Sequence, residues 1–448
     1  MDNKLLIVCL PVAVALIVIA AAFVALGDGD DDGNVRTASA ETNCWVYGNA
    51  NMDNRVDRDD IEYLKLIISG DKERTAYADA NRDGVINQED IEVVQGIIDG
   101  TGGVRHYTMD NGEPGWIRGK VTSIGAQYYC NMYALAAMGA TDIVTCGDDE
   151  TAELANKGEF GEKVKSQGLK KYGYTGKYEP ETLLSMKCQA ILCGTSYFKN
   201  WEEKYWDDDT YIAFIRLACW KTDPIAAVVT VANLLENKAY VDKAIEYAEY
   251  ASGINEKVAK AVSSLGSKKS AVIIYPYKDG NMEFQGPGTG CYEASLAAGL
   301  DNIASGVCDP KKDNDGGFHV LSLEKTLTYN PDAIMILKGC SWTATQESVD
   351  AAYADYVGKY LSTMDAVKNG NVWFTSWRFT QGVFQPVGAI MMASEIYGPE
   401  LFDGTNAMRE LQYYVDNFTS TNLGLDPGSD GYLDVTAKGK YFSKATNV

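Results

Sequence analysis

The most apolar stretch of this 448-residue chain stands near its start. From Leu5 to Leu26 no charge interrupts 22 residues, enough to cross a bilayer at about 1.5 Å per residue. Lys4 precedes the run and "GDGDDDG" follows it. The positive-inside rule therefore predicts a membrane helix over 1–27, with the bulk of the chain outside the cell membrane. A cleaved export signal is the alternative, although "ASA" at 38–40 stands far from the apolar run. Both readings export the chain. Residues 28–43, rich in Gly and Asp, read as a flexible acidic tether.

The pattern next turns helical in two short copies. "IEYLKLII" and "IEVVQGII" are 30 residues apart, amphipathic, and closed by Gly. From about residue 115 strands and helices alternate. "GKVTSIGAQYY", "DIVTCG" and "CQAILCGTSYF" read as strands, and "CNMYALAAMGA" as a helix. Residues 210–265, beginning "TYIAFIRLACW", read as helical throughout. Their last part, over 236–266, would span roughly 40 Å and join two lobes. "SAVIIYPY", "DAIMILKG" and "NVWFTSW" then restart the strand pattern. The predicted class is α/β: two Rossmann-like lobes, 115–235 and 267–448, bridged by a long helix. A small all-α module over 44–103 and the transmembrane helix precede them.

Charge removes some functions. With 62 acidic against 40 basic residues the net charge is -22, a surface that repels phosphate backbones, so no nucleic-acid partner is expected. The two histidines, His106 and His319, argue against a His-rich metal site and most His-based catalysis. No GxSxG or HExxH stands in the chain, and no enzymatic role is expected. The ten cysteines show no repeating spacing; they read mostly as small buried side chains, with a Cys188–Cys193 bridge left open.

The two helical copies follow oxygen-rich loops. In "DANRDGVINQED" Asp79, Asn81, Asp83, Asn87 and Asp90 fall at positions 1, 3, 5, 9 and 12 of a twelve-residue calcium loop, with the Val85 carbonyl at position 7. The first copy offers Asn49, Asn51, Asp53, Asp57 and Asp60, with the Arg55 carbonyl at position 7. Two such loops in tandem point to two calcium ions, and no catalytic cofactor is expected. With Asp at position 12, no helix before each loop and the 30-residue period, the segment resembles a type I dockerin. That resemblance implies calcium-dependent folding and docking onto a cohesin-like surface protein. Positions 10 and 11 depart from the family as Arg58-Asp59 and Gln88-Glu89, which puts a typical cellulosome cohesin in doubt.

The remainder resembles the helical-backbone substrate-binding proteins of ABC importers that capture iron-siderophores, haem or cobalamin. "ALAAMGATDIVTCG" is similar to the family's first-lobe segment. "YEPETLLSMKCQAILCG" and "LSLEKTLTYNPDAIMIL" resemble its paired segments, one per lobe, although Lys187-Cys188-Gln189 replaces the Pro-Asp of the first. "AVKNGNVWFTSW" and "GAIMMASEIYGPELF" resemble its C-terminal strand and helix. The resemblance implies an iron chelate or corrinoid held between two lobes, and an ABC permease met by Glu181 and Glu324. Side chains after the strands are candidate ligand contacts: Tyr128, Tyr129, Tyr197, Phe198, Tyr275, Tyr277, Trp342, Trp377 and Arg378. "GPGTG" at 286–290 reads as the loop entering a helix near the cleft. A dockerin-bearing surface binding or adhesion module without a transport role is the second reading.

Overall fold

The computed structural model describes residues 42–174, 177–198, 211–220, 223–309, 317–402, 405–422, 425–429, 432–437 and 439–446. The apolar segment 1–27 and nearly all of the tether lie outside the described residues. Among those described, no helix is long and apolar enough to cross a membrane.

The N-terminal lobe is a five-stranded parallel sheet in the spatial order Lys170–Lys171, Val144–Gly147, Ile124–Ala126, Ala190–Cys193, Ala213–Arg216. Its two central strands, Ile124–Ala126 and Ala190–Cys193, are short apolar runs with both faces covered, which is why they show no alternation. "AFIR" is therefore a strand, not the start of a helix: its apolar residues pair with "AILC" in parallel register. The helical reading of 210–265 is corrected there. A fully buried helix, Pro224–Leu234, follows. Asp223 caps it by accepting from the Ile225 and Ala226 amides, and Pro224 fits the first turn, where no amide donor is needed.

The bridging helix itself is Lys238–Ser263, 26 residues or about 39 Å. It buries Val241, Ala244, Tyr247, Ala248, Ala251, Ile254 and Val258, a stripe at three- and four-residue spacing that rests on both lobes. Tyr247 donates to the Val383 carbonyl at 3.2 Å, fixing the helix to the segment between the lobes.

The C-terminal lobe is a mixed six-stranded sheet. Ser270–Pro276, Ala333–Leu337 and Val372–Thr375 run parallel, and Met282–Gln285 and Phe318–Leu321 add antiparallel strands at one edge. A two-residue strand, Asp301–Asn302, completes it. The paired family-like segments make the same bond in each lobe. Asp332 Oδ2 accepts from the Ser270 amide and hydroxyl, both at 2.8 Å. In the first lobe Gln189 Oε1 accepts from the Thr122 amide at 2.6 Å and hydroxyl at 3.0 Å. The replacement of Pro-Asp in that copy thus retains the acceptor that ties neighbouring strands.

The repeat module is not a bead on a string. Its helices, Arg58–Ser69 and Gln88–Asp99, each carry a capping box and end on a left-handed glycine, Gly70 or Gly100. Its first loop packs on the N-terminal lobe, where the Val56 amide donates to Asn233 Oδ1 and Asn233 Nδ2 donates to the Asn54 carbonyl. Arg55 pairs with Asp242 at 2.8 Å. Below the module, Arg105 and Glu236 form an ion pair at 3.1 Å, 1% and 2% exposed. One continuous apolar core runs from Cys44 in the module to Phe442 in the second lobe. The nine described cysteines are buried thiols outside any disulfide, and Cys188 meets Cys146.

Candidate ligand cleft and calcium loops

The ends of the strands from both lobes converge on one cleft of about 330 Å³. After Ala126 the chain turns at Tyr128, whose φ of 66° lies in a region uncommon for a bulky residue. The buried Asp148 carboxylate holds it there by accepting the Tyr128 amide at 2.9 Å. Such stored strain is found where a side chain is aimed at a ligand. Tyr197 and Trp220 follow the next two strands and meet at 6.2 Å; Trp220 also lies edge-on to Tyr128 at 5.0 Å. From the second lobe Trp377 closes the opposite wall, stacked on Tyr275 at 4.6 Å. Glu150, Glu283, Gln285 and Gln381 supply polar groups, while Tyr174 and Phe318 complete the aromatic lining.

The loop 286–290 enters the helix Gly290–Ala297 beside the cleft, with Thr289 as its cap. A Cβ on Gly290 would stand 2.6 Å from that of Gln381 and 2.9 Å from the Trp220 carbonyl oxygen, so the lobes approach there as closely as a glycine allows.

Of the nine candidate ligand contacts, Tyr128, Tyr197 and Trp377 line the cleft. Tyr129 lies behind it, buried, sharing the Gln381 amide with Tyr128. Tyr275 backs Trp377, and the Tyr277 hydroxyl donates to Glu283. Phe198 is buried among Tyr172, Tyr178 and Phe214, because its strand end faces the outer layer. Trp342 is a core residue donating to the Tyr133 hydroxyl at 3.0 Å. Arg378 pairs with Glu159 at 3.2 Å and lies over the Tyr129 ring; that anionic setting holds its guanidinium firmly charged against the opposing effect of burial. Trp220, Glu150, Glu283 and Gln381 were not legible as cleft residues. Trp220 stood inside the stretch read as helix; Glu150 does follow the strand "DIVTCG", but among side chains after strands only aromatics and an arginine were read as candidates.

Electrostatically the cleft is acidic. Desolvation and then Asp148 raise the Glu150 carboxyl, partly offset by Arg378. Burial raises Tyr128 as well. Glu283 is fixed by donors from Tyr277 at 2.7 Å and Gln285 at 2.9 Å.

The two loops repeat one hydrogen-bond ladder. Asn51 Oδ1 accepts the Asp53 amide, Asp53 Oδ1 the Arg55 amide, and Asp57 Oδ1 the Asp59 amide. Asn81, Asp83 and Asn87 do the same for Asp83, Val85 and Glu89. Asp60 and Asp90 close the loops by accepting from Asn51 and Asp57, and from Asn81 and Asn87. At position 1 of both loops a buried oxygen has no partner: Asn49 Oδ1 and Asp79 Oδ1. Orphaned oxygens at matching positions fit a hard cation. Among the described residues no three His, Cys, Asp or Glu side chains are grouped to hold a metal, so a cation here would rely on amide and backbone oxygens as well. Arg74 reaches Asp79 Oδ2 at 2.9 Å in the second loop. Glu181 and Glu324 are exposed, each in the first turn of a short helix leading to a central strand of its lobe.

No family model and no curated protein matches the chain. Solved structures do share its fold. The TroA-like periplasmic binding protein FepB from Veillonella parvula aligns with a TM-score of 0.56 at 17% identity, covering 76% of this chain and 99% of that one. The molybdate-bound periplasmic binding protein MolA of a Haemophilus influenzae ABC transporter aligns at 0.55 and 14%, covering 72% and 100%. Helicobacter pylori CeuE, solved in a Ni-His complex, aligns at 0.53 and 18%, covering 69% and 94%. The α/β fold of this chain is that of the TroA-like periplasmic binding proteins.

Proposed function

We propose that the chain is the extracytoplasmic solute-binding component of an ABC importer, capturing an iron chelate or a corrinoid between its lobes. The observation that carries this reading is the cleft: two sheets on one stiff helix, with Tyr128, Tyr197, Trp220 and Trp377 converging from the strand ends of both lobes. Glu181 and Glu324, one exposed carboxylate per lobe at corresponding positions, suit docking to arginines of a permease. The apolar run Leu5–Leu26 would keep the receptor at the membrane. The repeat module would bind two calcium ions, one per loop, and dock onto a cohesin-like surface protein. Asn49 Oδ1 and Asp79 Oδ1 support the calcium reading.

The test is uptake. In cells lacking this chain, import of a labelled ferric siderophore or cobalamin should be restored by the native protein. It should not be restored by Glu181→Lys combined with Glu324→Lys, which keeps its cargo affinity in solution. Import that is indifferent to the chain would refute transport and favour the surface binding or adhesion role.

A further inference from the structure

The cleft carries information about the charge of its cargo. Its described lining holds aromatic rings, amides, a threonine hydroxyl and two carboxylates, Glu150 and Glu283, and no lysine, arginine or histidine. Three described cations that stand behind the lining are engaged elsewhere. Arg378 pairs with Glu159 and covers the Tyr129 ring. Lys338 donates to the Tyr275 hydroxyl and lies 3.9 Å from that ring. Arg216 donates to the Tyr197 and Phe198 carbonyls, bracing the wall from behind. An anionic ligand would lose its water against two carboxylates and ring faces of like sign, in a protein of net charge -22. A cation would meet the negative faces of Tyr128, Tyr197, Trp220 and Trp377 with a carboxylate on either lobe to share its charge.

Resting on the solute-binding reading above, we propose that the cleft selects a positively charged cargo: a metal chelate or organic molecule with an ammonium or quaternary ammonium group set between Glu150 and Glu283. Because the two carboxylates come from different lobes, the charge also draws the lobes together on the cargo. Gln381, which binds Tyr128 and lines the cleft, keeps the rings in place.

Titration calorimetry on the full-length protein with four probes tests this. They are a ferric trihydroxamate bearing one free ammonium, the same chelate with that ammonium acetylated, a triply negative ferric tricatecholate, and benzyltrimethylammonium. The ammonium chelate should bind at least about tenfold more tightly than its acetylated twin. In Glu150→Gln with Glu283→Gln the gap should shrink to about threefold or less. Equal binding of the twins, tighter binding of the tricatecholate, or a gap untouched by the double variant would overturn the proposal. Binding of benzyltrimethylammonium with no chelate bound would uphold cation selection and remove the iron-chelate cargo. Silence from all four would overturn cation selection and count against the solute-binding reading as well.

Discussion

Gln381, on the segment leading into the last large helix of the second lobe, donates from its side-chain amide to the Tyr128 hydroxyl of the first lobe at 3.1 Å. The second proton of the same amide reaches Tyr129 at 3.1 Å. One side chain thus fixes Tyr128 in the cleft, Tyr129 behind it and the distance between the lobes. Gln381→Leu leaves these buried hydroxyls only the 3.0 Å bond from Tyr128 to Tyr129, at a cost of about 1–3 kcal/mol. Urea unfolding should show this loss, and cargo affinity should fall with it because Tyr128 loses its tie to the second lobe.

Gly290 offers a steric probe of the same contact. Gly290→Ala puts a methyl group against Gln381 and the Trp220 carbonyl and must push the lobes apart. The expected loss of stability is about 1–3 kcal/mol, as for other overpacked interiors. Cargo affinity should weaken more than in Gly306→Ala, where a Cβ meets open space.

The buried pair Arg105–Glu236 ties the module to the turn before the bridging helix, and Glu236 also accepts the Gly102 amide at 3.0 Å. Removing one partner strands a buried charge. Arg105→Met alone should cost about 3–5 kcal/mol, and adding Glu236→Leu should recover much of it. Equilibrium unfolding of the two variants separates these cases.

The repeated acceptor at Gln189 and Asp332 gives a pH signature. The Ser270 hydroxyl and amide bonds hold the Asp332 carboxyl below its ordinary value. A depressed folded pKa contributes stability that is present above the unfolded value of about 3.9 and lost as pH falls through the folded one. Asp332→Asn should therefore lower the melting midpoint at neutral pH, and the difference should shrink as pH falls through the lowered carboxyl value. Gln189→Glu should instead introduce a titration in the first lobe, where none exists at that position.

Calcium should act on more than the module. Loop 1 bonds directly to Asn233 of the first lobe and Asp242 of the bridging helix, so its order is coupled to both. Saturating calcium at about a hundred times Kd adds about 2.7 kcal/mol per site. Chelation should lower the main calorimetric transition of the whole protein. A chelator that melts only a small separate transition would contradict that coupling.

The α/β class, the central strands of each lobe, the long bridging helix and the helices after the two repeated loops were legible, because apolar periodicity and loop spacing are local signals. The stretch "TYIAFIRLACW" misled because a buried parallel strand and a buried helix are both unbroken apolar runs. Only the partner "AILC" decides between them, and pairing is not local. Arg378 misled for a similar reason: its partner Glu159 is distant in sequence and claims the guanidinium. The packing of the module against Asn233 carried no sequence signal at all.

The central claim is a cargo cleft between the lobes, and tryptophan fluorescence tests it most directly, since Trp220 and Trp377 line that cleft. The full-length protein should be titrated with cobalamin, ferric siderophores and haemin, beside Trp220→Phe and Trp377→Phe. Saturable quenching by one cargo, reduced in each variant, is the predicted result. A folded protein whose fluorescence ignores every cargo, or whose quenching is unchanged by both variants, would contradict it.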